Sequence, residues 1–257
     1  MTALRLASLT LLALLGTGCA TLPSPGGQTE TETQDVPGAN EPAQVNLKLG
    51  IGYMQSGRFP LAQEKLRRAL QFDPNLAEAE NALGVMLEET DEPGLAERHY
   101  LRALELRPDY ALARMNLARM LCANDQTERG TQLFLEVAES DYADPEIPYT
   151  GAGVCARIAG DVVTAERHFR QALEHNAYAG GTLFELASLL QRQGRSQEAK
   201  RYLDRFHKRV SFSPASLTLA IAIERSLGDR KMQQTYTELL KTRFAESAEA
   251  RAIADTP

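Results

Sequence analysis

A period of 34 residues runs through this chain. Leu83-Gly84, Ala96, Tyr100, Ala103 and Pro108 have counterparts 34 positions earlier at Leu49-Gly50, Ala62, Leu66, Ala69 and Pro74. A fixed period of that length with small residues at fixed offsets specifies a pair of helices as the repeating unit. Two helices approach closely only where their side chains are small, which is what the Gly and Ala positions provide. One such pair cannot bury its own apolar face, so copies must stack and the core runs along the array. Composition agrees: Trp is absent and aromatics make up 6% of residues, while Ala and Leu abound and favour helix over strand.

The offsets resemble the tetratricopeptide pattern. They predict an all-α chain, a right-handed superhelical solenoid of six tetratricopeptide helix pairs at 43–76, 77–110, 111–145, 146–179, 180–213 and 214–247, followed by a C-terminal tail at 248–257. Pro60 and Pro93 suit the first turn of second helices, where a missing N–H costs nothing. The third repeat is degenerate. Gly130 replaces the usual Ala, no Pro closes the unit on time, and one extra residue falls in the 140–145 loop. In the fifth, Phe206 stands where a small residue is usual, which predicts a pair that splays or turns its face. The sixth keeps little beyond Gly228 and helical apolar spacing, as expected of a terminal unit with one face toward water.

Ahead of the repeats, Arg5 precedes an apolar run from Leu6 to Leu15 and a Gly-Thr-Gly-Cys end. The run is short for a membrane span and suits a signal peptide at 1–18. Thr17-Gly18-Cys19 resembles a bacterial lipobox, although Gly16 stands where Leu is usual; the alternative is an ordinary cleaved signal with a chance Cys. The lipobox reading makes Cys19 a lipid-bearing N-terminus, and Ala20 in place of Asp implies the outer membrane, periplasmic face. Residues 19–42 are rich in Pro, Gly, Thr and Glu and read as a disordered tether, spanning roughly 25 Å as a flexible coil.

The net charge of −6 argues against nucleic-acid binding as the main task. No HExxH, CxxC, GxSxG or phosphate-loop pattern occurs, so no enzyme, metal site or small-molecule substrate is expected, and no cofactor beyond the covalent lipid on Cys19. His99 and His168 share one repeat offset, which points to packing or surface roles. Cys122 and Cys155 lie on the first helices of adjacent repeats, where two sulfurs can meet; a disulfide and two buried free thiols are both compatible with the spacing. First-helix positions two, five, nine, twelve and thirteen line the inner surface of such solenoids. In the first repeat they include Leu47, Ile51 and Met54, an apolar stripe that continues through Val85 and Met115. That stripe is the candidate partner groove, the alternative being that tether residues cover it. The Lys/Asn clamp for a C-terminal carboxylate is absent, since Leu47 and Ile51 hold its places.

A lipobox, a polar tether and six such repeats together resemble the PilF/PilW family of type IV pilus biogenesis lipoproteins. "LGIGYMQSGRFPLAQEKLRRALQFDP", "ARMLCAND", "GVCARIAGD", "AERHFRQAL" and "RSLGDR" are similar to that family's segments, and the likeness covers 47–251. It implies pilotin work: a lipoprotein that binds a secretin subunit and promotes its outer-membrane localisation and multimerisation. The partners so implied are the type IV pilus secretin and, through the lipid, the outer membrane. An outer-membrane adaptor that scaffolds other envelope machinery, such as peptidoglycan-remodelling enzymes, is the alternative.

Overall fold

The computed structural model describes residues 41–254; the expected signal peptide, lipidated Cys19 and most of the tether lie outside them. Twelve helices pair as the period predicts: α1 (Glu41–Gln55) with α2 (Phe59–Phe72), α3 (Ala77–Glu89) with α4 (Pro93–Leu106), α5 (Ala111–Ala123) with α6 (Thr127–Ala138), α7 (Glu146–Ile158) with α8 (Val162–His175), α9 (Gly180–Arg192) with α10 (Ser196–His207), and α11 (Pro214–Leu227) with α12 (Arg230–Arg243). The expected tail instead begins with a further helix, α13 (Ala248–Ala254), whose Ala250 is buried against Leu217, Ile221 and Leu240. The sixth repeat therefore packs as a full pair and is itself capped.

Each first helix packs along the first helix of the next pair, whereas the backbones of successive second helices stand apart among the described residues and are linked by long side chains, as in Arg129–Glu97 and Arg170–Glu198. That asymmetry curves an all-α helical solenoid with the first helices on its inner side. Between the helices of every pair the same turn slot has positive φ. Gly57, Gly160, Gly194 and Gly228 occupy it at +69° to +78°, and Asp91 and Asp125 at 61°. Asp tolerates that region better than most side chains, which lets two repeats dispense with glycine.

Inside the first, second and fourth pairs a glycine of the first helix receives a large residue of the second. A Cβ on Gly50 would stand 2.7 Å from Leu66, on Gly84 2.6 Å from the Tyr100 ring, and on Gly153 2.6 Å from Phe169. Tyr100 and Phe169 are fully buried in consequence. The third repeat breaks this rule. Its Phe134 packs on Gly151 of the next unit, 2.4 Å from where a Cβ would be, and α6 sits closer to α7 than any other second helix does to its successor. Phe206 does not splay the fifth pair. Its ring turns into the space beside Phe184, His207 and Gly180 and is buried.

Candidate functional site: the inner face of the first helices

The five expected groove residues fare differently. Ile51 is open to solvent at 38% exposure, and Met54, Val85 and Met115 are half-buried. Leu47 is 6% exposed and belongs to the core with Ala43, Leu66 and Ala82, which corrects its place in an exposed stripe. The cause is geometric: α1 is flanked by α2 and α3, and the fifth position falls on the flanked side. Asn81, at the same position one repeat on, is likewise buried.

Beyond the first repeat, three apolar side chains stand open on first helices: Leu112, Ile147 and Ile158. Sequence reasoning placed them on the inner surface without assigning them to the groove, and position two, shared by Leu112 and Ile147, was the available signal. Between these residues, polar pairs link successive repeats. Asn116 donates to Asn81 at 3.0 Å, the Thr150 and Thr182 hydroxyls are 2.6 Å apart, and Gln191 donates to Ser226 at 2.9 Å. Arg119 pairs with Glu88 at 3.0 Å and Arg157 with Glu185 at 3.2 Å. These contacts pair polar groups of neighbouring repeats with one another, while among the described residues the Gln191 Oε1 keeps no partner and the open apolar residues have nothing packed on them.

A cavity of about 280 Å³ opens where repeats four and five meet, lined by Ile147, Thr150, Gly181 and Thr182 among others. Gly181 leaves it room. A larger cleft of about 710 Å³ lies between α6 and the α7–α8 pair, where Thr131, Ala156 and Ala159 leave a gap. No cluster of three or more His, Cys, Asp or Glu fit to hold a metal occurs among the described residues, and no described helix is long and apolar enough to cross a membrane.

Behind the face, Cys122 and Cys155 are joined as a disulfide with their Cα atoms 5.4 Å apart, tying α5 to α7. The bridge also accounts for Gly130. A Cβ there would stand 2.3 Å from the Cys122 sulfur and 2.6 Å from the Ala118 carbonyl, so the Ala of other repeats has no room.

Over 246 residues the chain is 29% identical to the type IV pilus assembly protein PilF of Pseudomonas aeruginosa, a match covering 95% of this chain and 96% of PilF. The chain is a homologue of PilF. The matched length exceeds the stretch 41–254, so the likeness to PilF reaches into the leading segment. The solved structure of P. aeruginosa PilF superimposes with a TM-score of 0.72 at 26% identity, covering 86% of this chain and 100% of that one. PilW, a widely conserved type IV pilus biogenesis factor, shares the fold with a TM-score of 0.74 at 22% identity, covering 82% and 98%. A tetratricopeptide repeat protein from Parabacteroides merdae does so more loosely, with a TM-score of 0.62 at 15% identity over 79% and 80% of the two chains. No family profile matches the chain.

Proposed function

We propose that this chain serves type IV pilus biogenesis as a lipid-anchored pilotin, lipidated at Cys19 and held at the periplasmic face of the outer membrane. There it binds a secretin subunit and promotes the subunit's localisation and multimerisation. The likeness to PilF along nearly the whole of both chains supports this reading most strongly. The open inner-face residues Ile51, Leu112, Ile147 and Ile158, carried on a solenoid whose successive repeats are tied by polar pairs, give the mechanism its surface. An apolar segment of the partner laid there releases water from both sides, each fully desolvated large side chain contributing about 1.5–3 kcal/mol before ordering costs. Lipid and tether keep the captured subunit near the membrane and raise its effective concentration there. No covalent bond turns over.

The test is a strain carrying Ile51→Glu with Leu112→Glu, two exposed positions where charge leaves the core alone. Secretin multimers in the outer membrane and surface pili should be lost while the purified variant keeps its helical circular dichroism and unfolding midpoint. Secretin rings persisting in a strain that lacks the gene would sink the pilotin reading. Rings persisting only in the double variant would move the binding face.

A further inference from the structure

The first repeat differs in charge from the rest of the chain. Between 41 and 76 there are five cations (Lys48, Arg58, Lys65, Arg67 and Arg68) against Glu41, Glu64 and Asp73, within a protein of net charge −6. Lys65 is paired with Glu64 at 2.8 Å, and Arg58 lies over the Tyr53 ring. Lys48, Arg67 and Arg68 have no carboxylate at ion-pair distance among the described residues, and all three are exposed. Beside them stand three exposed apolar side chains, Val45, Leu49 and Phe72, each 45–48% accessible. Val45, Lys48 and Leu49 are one turn apart on α1 and share a helix face. Arg68 and Phe72 line one cleft of about 410 Å³ with Val45 and a second of about 560 Å³ with Arg67, so the two helices present a single continuous surface. It is the terminal surface of the described solenoid, the side of the first pair on which no repeat stacks among the described residues.

Cations interleaved with apolar side chains on an otherwise acidic protein are what an anionic bilayer surface attracts: headgroup phosphates meet the guanidinium and ammonium groups while the apolar tips enter the acyl boundary. We propose that this terminal face docks on anionic phospholipid headgroups and so sets how the solenoid stands on the membrane. The proposal rests on the anchorage put forward above, because a lipid at Cys19 brings this end, and not the distant sixth repeat, to the bilayer. It adds a second contact with the membrane that leaves the inner face free. The lipid holds the protein at the bilayer, and this second contact fixes its orientation there.

The chain has no Trp, so Phe72→Trp supplies a single tryptophan at the centre of the face, excited beyond the absorption of the tyrosines, and Val163→Trp on α8, at an 81% exposed position, supplies a distant control. The full chain is reconstituted in phosphatidylethanolamine/phosphatidylglycerol vesicles or in phosphatidylcholine vesicles, with brominated acyl chains as quencher. The Phe72→Trp emission should shift to the blue and be quenched in the anionic vesicles, and remain water-like in phosphatidylcholine. Adding Arg67→Glu and Arg68→Glu should cut the docked population on the order of tenfold or more, since each cation near such a surface contributes about 1 kcal/mol. The Val163→Trp emission should stay unquenched throughout. Unquenched Phe72→Trp emission in anionic vesicles that carry the protein on flotation would overturn the proposal. So would a blue shift in phosphatidylcholine: one that grows with protein density assigns the face to a second copy, and one independent of density assigns it to the chain's own leading segment. Failure to float on phosphatidylcholine would count against the lipid anchor alone, and the emission with anionic vesicles added in excess would still report docking.

Discussion

In repeat two, Gly84 on α3 receives the Tyr100 ring of its own α4, and the Tyr100 hydroxyl donates to Glu88 back on α3. In repeat three the equivalent residues, Ala118 and Phe134, part company: Phe134 reaches forward to Gly151, while Gly130 takes the close approach beneath the bridged Cys122. One repeat is held from within by a ring in a notch. The other is held to its successor by a covalent bond and a ring that crosses the junction. The difference shows that departure from a repeat consensus need not mean weakness, because the lost intra-pair contact reappears between pairs, where a solenoid needs cohesion. It also separates the two repeats experimentally.

Tyr100→Ala is the largest expected break. It removes a fully buried ring from a notch that cannot close and should cost about 3–5 kcal/mol, with amide exchange rising across α3 and α4 and little at α5–α7. Replacing both cysteines by serine, or reducing the bridge, should cost about 3–4 kcal/mol for a closed loop of this size. Its exchange signature should be the reverse, centred on α5, α6 and α7. If the two variants loosen the same helices, the contrast between inner and crossing cohesion is lost. Gly130→Ala comes next at about 1–3 kcal/mol for forcing a methyl into occupied space. Placed in a Cys122→Ala, Cys155→Ala background, the same change should cost less but not nothing, because the sulfur leaves while the Ala118 carbonyl stays. Urea titrations of the four proteins measure the coupling.

These contrasts also mark what the residues disclose before folding. The helix pairs, the turn slot at Gly57, Gly160, Gly194 and Gly228, and the nearness of Cys122 to Cys155 follow from spacing, because they depend on neighbours at fixed offsets. Leu47 was misplaced because its exposure depends on the packing of α3 against α1, which an inner-face position number does not encode. Gly130 read as decay because its reason, a sulfur on another helix, belongs to the tertiary contact. The helix over 248–254 was missed because seven residues carry too little periodicity to distinguish a cap from a tail.

The smallest expected effect compares the same two kinds of environment at one repeat offset. His99 sits partly open beside Glu80, its Nδ1 2.6 Å from the carboxylate. His168, at the equivalent place in repeat four, is buried beneath the Tyr149 ring with Nδ1 2.9 Å from the Gln171 Oε1 and Nε2 unmatched. Burial holds the His168 imidazole below its ordinary value of 6.5, helped by Arg167 and opposed by the Gln171 contact and Asp161. As pH falls, the unfolded chain therefore takes up the proton first. The stability that neutral His168 contributes is whole above about 6.5 and is lost as the pH drops toward the folded value. His207, also shifted down by burial, acts in the same direction. Urea midpoints taken between about pH 8 and pH 5 should fall in the wild type and fall less steeply in His168→Gln than in His99→Gln. Equal slopes in the two variants would mean that the shared offset, and not the burial that distinguishes its two copies, governs these histidines.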